Sequence, residues 1–262
     1  MDYGLRGKTA IVTGASQGIG REIARSLHNE GVIVTLVGQT RAHLEQSARD
    51  IGSGGGAAVH AFVADLGLLA EVERVAAESL KLMGHIDILV NCAGHATQGA
   101  FFTMSDQEFQ DVWQIKAMGT VRMVRAVAPH MIERGDGRIV NIVGTAARTP
   151  SADFIAVGMA NAALVNFTRG ISRELAHHNV RINSISPGWT LTERLKRSLE
   201  MHAAAQKIDV TQALQRDARG IPTGRHVTMT EIANMTLLAV SDLCPSLTGE
   251  DIIIDGGATP SI

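Results

Sequence analysis

Between Thr13 and Gly20 the chain reads Thr-Gly-Ala-Ser-Gln-Gly-Ile-Gly, directly after a short β-branched run and before an amphipathic one. Glycines at this spacing suit one chemistry, the holding of a polyanion by main chain. Gly14 permits a tight turn, Gly18 lets backbone approach a pyrophosphate, and Gly20 lets a helix close on a strand. The following helix adds free N–H groups and the positive end of its dipole. Gly14, Ser16, Gln17, Gly18, Ile19 and Gly20 are therefore candidate dinucleotide-binding residues; a tight turn without a ligand is the plainer alternative. The type of dinucleotide turns on Val37-Gly38-Gln39-Thr40-Arg41. An acidic residue there would bond a ribose 2′-hydroxyl and repel a 2′-phosphate. None is present, and Gln39, Thr40 and Arg41 can accept a phosphate, so NADP(H) is expected over NAD(H); alternatively Arg41 is a solvated helix-start residue. No HExxH or paired CxxC spacing supports a metal, and no GxSxG elbow supports nucleophilic hydrolysis.

Elements must position these residues. Strands are expected at Thr9–Thr13, Val32–Val37, Ala58–Val63, Ile86–Asn91, Arg138–Val143, Arg181–Ser186 and Asp251–Ile254. Helices are expected at Gly20–Glu30, Arg41–Ile51 and about 68–83, 106–134, 157–178 and 229–241. This alternation, with strands apolar nearly throughout, predicts an α/β fold, a Rossmann-type doubly wound parallel seven-stranded sheet with helices on both faces. The whole of 1–262 reads as a single domain, since Gly52–Gly56 is one loop and no linker or repeat is visible. The stretch from about 190 to 225 is helical in pattern and lacks a strand. It follows the C-terminal end of a strand, where open α/β sheets bind ligands, so it reads as a substrate lid or as a peripheral helical excursion. Its Arg194, Lys196, Arg197, Lys207, Arg216 and Arg219 either meet an acidic or phosphorylated group or stay solvated.

Composition narrows the class further. Only 3% of the residues are aromatic, with a single tyrosine, Tyr3, and the formal charge of −2 gives no reason to expect nucleic acid or an anionic membrane. Two cysteines, Cys92 and Cys244, are too few for a disulfide framework and fit a reducing compartment. No signal-peptide pattern and no uninterrupted apolar stretch of bilayer length is read, so a soluble cytoplasmic protein is expected.

Several motifs in order carry a resemblance over essentially the whole chain. After the glycine turn come Asp65-Leu66, Asn91-Cys92-Ala93-Gly94, Asn141, Asn183, Pro187-Gly188-Trp189-Thr190 and Ile254-Asp255-Gly256-Gly257. The set resembles the short-chain dehydrogenase/reductase family. The resemblance implies that Asp65, with Leu66, contacts adenine. It implies that Asn91, Ala93 and Gly94 stabilise the sheet beside the cofactor, although Asn91 often serves only to bond backbone. Pro187, Gly188, Thr190 and Thr192 are then expected beside the nicotinamide amide and the phosphates.

The same resemblance exposes a gap. Family members use a Tyr acid, a Lys that lowers its pKa, a Ser that orients the carbonyl and an Asn that holds a water relay. The matching helix start here is Val157-Gly158-Met159-Ala160-Asn161-Ala162-Ala163-Leu164, so Val157 stands for the tyrosine and Asn161 for the lysine. The serine position is Gly144 and the asparagine position is Lys116. Lys and Asn have exchanged places between 116 and 161. A Lys116/Asn161 pair can return a cation to the same cavity, and a buried ammonium with lowered pKa can act as acid or base. The competing explanation is a lysine that snorkels to solvent and a satisfied asparagine. Thr145 can orient a carbonyl or bond backbone, and His95 can face the nicotinamide or be structural. Arg148 binds a carboxylate substrate or pairs with Asp153, and Trp189 forms an apolar wall.

Two classes of function stay open. One is an atypical NAD(P)(H)-dependent oxidoreductase acting on a small carbonyl or alcohol. The other is a non-redox cofactor-binding protein or pseudoenzyme, or a lyase- or isomerase-type reaction with Lys116 as base. The resemblance also implies a homodimer or homotetramer built from the helices at 106–134 and 157–178. Phe109, Val112, Trp113, Met123 and Phe167 then serve as interface or as core.

Overall fold

The computed structural model describes residues 2–94, 97–206 and 208–260. Seven parallel strands run in the order β3-β2-β1-β4-β5-β6-β7. They are β1 (Thr9–Thr13), β2 (Ile33–Gly38), β3 (Val59–Val63), β4 (Ile88–Asn91), β5 (Gly137–Ile142), β6 (Val180–Pro187) and β7 (Asp251–Ile254). The helices are α1 (Gly18–Asn29), α2 (Arg41–Gly52), α3 (Leu69–Met83), α4 (Asp106–Val112), α5 (Gly119–Arg134), α6 (Ile155–Ala176), α7 (Glu193–Gln206), α8 (Val210–Ala218) and α9 (Met229–Val240). The architecture is the expected Rossmann-type α/β sheet.

Period-two alternation divides the core between the two faces. Ala10, Val12, Val34, Leu36, Val90 and Val140 point to the side covered by α1 and α9, with Ile23, Leu27, Ile232 and Leu237 above them. Ile11, Leu89, Ile139 and Ile182 point to the other side, under Val72, Val75, Met123, Val127 and Met131 of α3 and α5. With so few aromatics, aliphatic side chains fill both layers. Tyr3 packs against the first layer, far in sequence from every candidate catalytic position.

Buried polar groups tie the strands together. The Asn91 amide donates to Asn141 Oδ1 at 2.9 Å, and Asn141 Nδ2 donates to Thr168 Oγ1 of α6 at 2.9 Å. Arg181 donates to the carbonyls of Ala239 at 3.0 Å, Ser241 at 2.6 Å and Cys244 at 3.2 Å, closing the C-terminal end of α9 where carbonyls lack helical partners.

Two expectations are corrected. The stretch 106–134 is not one helix: α4 ends at Val112, residues Trp113–Met118 form a π-helical turn, and α5 begins at Gly119. Where the helix resumes, Gly119 packs closely on the loop after β3, since a Cβ there would lie 3.2 Å from the Leu66 carbonyl oxygen and side chain. The wider turn brings Lys116 and Ala117 into the interior. Second, Val112 and Met123 are fully buried in their own subunit and so belong to its core; Phe109 and Phe167 are half-buried and Trp113 is 40% exposed. Ala152–Ala176 is long and apolar enough to cross a membrane by length and composition alone, a property it shares with the core helices of folded domains. Its α6 portion packs against β6 and the loop after β5.

Candidate active site

The sheet order reverses between β1 and β4, and the loops leaving these two strands diverge there, the point at which open α/β sheets hold ligands. Thr13 joins the two loops: its hydroxyl accepts the N–H of Cys92 at 3.0 Å and of Ala93 at 3.1 Å. Gly14 turns with φ +67, and a Cβ on it would meet the Cys92 carbonyl at 2.8 Å. Gly20 lies so close to the turn that its Cβ would stand 2.5 Å from the Gly14 oxygen. Gly18 differs, because a Cβ there would find only Thr192 Cγ2 at 3.9 Å. Space above Gly18 is thus open to a ligand. No side chain caps α1 at Gln17, and its first turn carries no acid. The unfilled N–H groups, the open Gly18 and the crowded Gly14 and Gly20 fit a bound pyrophosphate.

Beyond the ends of β2 and β3, Gln39 and Asp65 are bonded to each other, with Nε2 to Oδ1 at 3.0 Å, and the same oxygen accepts Gly67 N–H at 2.9 Å. Arg41 is turned to Glu45, one helical turn on, at 3.5 Å, and Thr40 precedes α2 without capping it. Leu66 is buried beneath Gly119. Across the sheet, Gly188 presses on Asp255, a Cβ there reaching 2.6 Å from its Cβ. The Thr190 hydroxyl donates to the Gly188 carbonyl at 3.0 Å, and Thr192 Oγ1 accepts Leu195 N–H at 3.3 Å.

Lys116 and Asn161 do meet at one place, the exit of β5. Lys116 Nζ donates to the Val143 carbonyl at 3.1 Å, with the Ile142 carbonyl at 3.5 Å. Asn161 Nδ2 donates to the next carbonyl, Gly144, at 3.4 Å. Gly94 closes the opposite side, since its Cβ would stand 3.5 Å from Nζ. Lys116 is 8% exposed and Asn161 2%, so the lysine does not snorkel. No carboxylate pairs with the ammonium among the described residues. Burial lowers its pKa to about 8; the neighbouring Cys92 sulfur opposes that shift and the Arg194 charge adds to it. Desolvation pushes the Cys92 thiol up to about 11, so this sulfur is held neutral. Asn161 Oδ1 is buried and has no partner among the described residues. Gly144 sits at φ +132, where a Cβ would approach Asn161 Nδ2 to 2.9 Å.

The remaining candidates disperse. Thr145 opens a short turn whose carbonyl accepts Arg148 N–H at 2.9 Å. Arg148 pairs neither with Asp153 nor with the cleft: its Nε donates to Asp251 Oδ2 at 3.0 Å. The Asp251 carboxylate also accepts from Ser184 and Ser186, so β7 and β6 draw the arginine away from the site. His95 and Lys207 lie outside the described residues. The bonds from the Cys92 and Ala93 N–H groups to the Thr13 hydroxyl were not legible in the sequence, because they join neighbours distant in the chain.

Fold and cradle together define a Rossmann-type α/β protein. A family model described as enoyl-(acyl carrier protein) reductase matches residues 14–259. The chain is 33% identical over 256 residues to the 2,3-dihydro-2,3-dihydroxybenzoate dehydrogenase of Bacillus subtilis strain 168, covering 98% of this chain and 97% of that one. L-Sorbose reductase from Gluconobacter frateurii, solved with NADPH and L-sorbose, superposes with TM-score 0.96 at 29% identity over 100% of both chains. An NAD+-bound xylitol dehydrogenase superposes with TM-score 0.88 at 27% identity, over 97% of this chain and 99% of that one. The chain belongs to the short-chain dehydrogenase/reductase family.

Proposed function

We propose that the chain is an NADP(H)-dependent oxidoreductase of a small carbonyl or alcohol, in which Lys116 replaces the family's tyrosine acid. The observation that carries this reading is the buried Lys116 ammonium, which among the described residues bonds only to carbonyls, between Gly94 and the β5 exit. The glycine turn and the α1 N-terminus would hold the pyrophosphate, Asp65 and Gln39 would flank the adenine, and Thr190 and Thr192 would lie near the nicotinamide. The bound cofactor supplies hydride to the carbonyl carbon or accepts it in reverse. The Lys116 ammonium would give the carbonyl oxygen the proton it needs on reduction, and its amine would take the hydroxyl proton in the reverse direction. After reduction the neutral amine recovers a proton from solvent. A pKa of about 8 keeps both forms accessible near neutral pH. Asn161, with its free buried Oδ1, orients the ammonium or a water beside it. NADPH oxidation assayed over a broad panel of small carbonyls tests the reading; tight NADPH binding without turnover on any of them sinks it in favour of a non-redox cofactor-binding role.

Restoring the family residues is not expected to restore family chemistry. Val157 is buried among Val112, Ala117, Ala156 and Ala160. Val157→Tyr overfills this cluster and is expected to cost about 1–3 kcal/mol with no gain in turnover, read by thermal melting and NADPH oxidation.

A homodimer or homotetramer through α6 also fits. Only 39% of the most apolar window of Ala152–Ala176 is buried in the single chain, and Met159 is 51% exposed. Sedimentation velocity is expected to show an assembly that Met159→Glu weakens; a monomer in both cases would refute it.

A further inference from the structure

A second cation stands near Lys116, and the backbone between the two is fixed. The exit of β5 lies against the end of β6, since a Cβ on Gly144 would stand 3.9 Å from the Pro187 carbonyl. The chain leaving β6 is pinned to the segment before α9. Val227 N–H donates to the Trp189 carbonyl at 3.0 Å, and Leu191 N–H donates to the Val227 carbonyl at 2.9 Å. Thr192 follows, its methyl bordering the space above Gly18 and its hydroxyl accepting Leu195 N–H. Arg194 lies in the same first turn of α7 and is thereby held over the cleft. Its charge is felt at Lys116 and helps to lower that pKa. The Arg194 side chain is exposed, yet the packing around it removes enough water to lower the pKa of the guanidinium as well. Among the described residues Arg194 forms no ion pair and no hydrogen bond. Arg148 cannot serve an anion there, because Asp251 holds it.

We propose that Arg194 binds a carboxylate of the substrate while Lys116 meets its carbonyl, so that the substrate is a small oxo acid, or the hydroxy acid of the reverse reaction. The inference rests on the oxidoreductase reading above and names its substrate class. Two like charges that share a cleft repel each other, and each has lost water; an anion placed between them relieves both costs. A guanidinium offers a carboxylate two parallel N–H donors, a match that a neutral carbonyl compound cannot use. The anion also acts on the acid. A bound carboxylate favours the ammonium form of Lys116, which keeps the proton in place while substrate is present. Among the described residues Cys92 and Arg194 are the titratable or charged groups felt at Lys116. Cys92 is held neutral, so Arg194 and the bound carboxylate set this response.

The test compares pyruvate, acetoacetate and levulinate with their methyl esters, by NADPH oxidation and by calorimetric titration of the full chain with NADPH present. The proteins are wild type, Arg194→Gln, Arg194→Lys and Arg216→Gln; Arg216 is exposed on α8, so its variant controls for general charge. Wild type is expected to prefer at least one acid over its ester by roughly tenfold or more in kcat/KM. Arg194→Gln should lose roughly 10- to 100-fold on that acid, mainly through KM, with the ester unchanged. Arg194→Lys should recover part of the loss, and Arg216→Gln should lose nothing. Removing a like charge favours the Lys116 ammonium, so in Arg194→Gln the fall of kcat/KM should move upward from about pH 8. Equal weakening of acid and ester, an unmoved pH profile, or a loss confined to NADPH affinity would overturn the inference. Turnover of esters and acids alike would overturn it and leave the oxidoreductase reading standing. Arg194-dependent binding of an acid without turnover of any carbonyl would keep the carboxylate site and sink that reading; neither binding nor turnover would remove both.

Discussion

Lys116→Met is expected to abolish most turnover while making the protein more stable. Removing a positioned proton donor costs roughly 10²–10⁴-fold in rate. NADPH affinity should change little, because the cradle around Gly14, Gly18 and α1 is built from other residues. The gain in stability follows from the depressed pKa. Lys116 falls from 10.5 to about 8 on folding, so at pH 7 the fold must carry a buried ammonium that the unfolded chain exposes to water. Between about pH 8 and 10.5 the unfolded state binds more protons than the native one. Wild-type stability therefore rises with pH through that window, and below it the full penalty applies. Methionine removes the penalty, which is on the order of 2–3 kcal/mol, or a Tm higher by roughly 5 °C in a protein of this size. The rate has its own pH signature. Carbonyl reduction needs the ammonium and should fall as pH rises through about 8, whereas alcohol oxidation needs the amine and should rise. Melting curves and pH–rate profiles of the wild type and variant check all of this. Full activity in the variant would eliminate Lys116 as the acid; a lower Tm would show that its ammonium is not penalised by burial.

The second large effect separates two glycines that lie two residues apart, Gly18 and Gly20. Gly20→Ala is expected to disrupt the fold, because its Cβ would lie 2.5 Å from the Gly14 oxygen and 2.8 Å from the Gly14 carbonyl carbon. Neither is a flexible side-chain end, so α1 must move away from β1 at a cost of about 3 kcal/mol or more. Gly18→Ala meets nothing nearer than 3.9 Å. It incurs only the strain of φ +60 in an alanine, about 1–2 kcal/mol. The added methyl occupies the space through which a pyrophosphate approaches. Gly18→Ala is therefore expected to stay folded and to lose NADPH affinity by at least roughly tenfold, and Gly20→Ala to lose both fold and ligand. Circular dichroism melts paired with NADPH titration distinguish the outcomes. Unchanged NADPH binding by a folded Gly18→Ala variant would remove that glycine from the cradle.

Much of the scaffold was legible because it follows from local rules. Alternating apolar strands and amphipathic helices imply a covered parallel sheet, and a glycine turn between strand and helix implies an anion cradle at its edge. Legibility failed where a residue's behaviour depends on a long-range neighbour. Arg148 has Asp153 five residues away, yet it bonds Asp251, because β6 and β7 bury that carboxylate beside Ser184 and Ser186. Val112 and Met123 read equally well as interface or core, and only the packing beneath α4 and α5 assigns them to the core. The apolar pattern over 106–134 was periodic enough for one helix, yet a π-helical turn interrupts it at Trp113–Met118, just before Gly119 packs closely on Leu66.

That Tyr3 is the chain's one tyrosine and that position 157 is a valine are facts of sequence; that Tyr3 packs against the first core layer is a fact of structure. What stands near that position was decided by tertiary structure alone. Lys116 is buried because three segments close on it at once, Cys92–Gly94 after β4, Ile142–Gly144 after β5, and the π-helical turn that carries it. Desolvation is a property of that enclosure and not of the residue. A lysine letter carries a charge, but only the surrounding fold determines how much water it loses and hence how readily it gives up a proton.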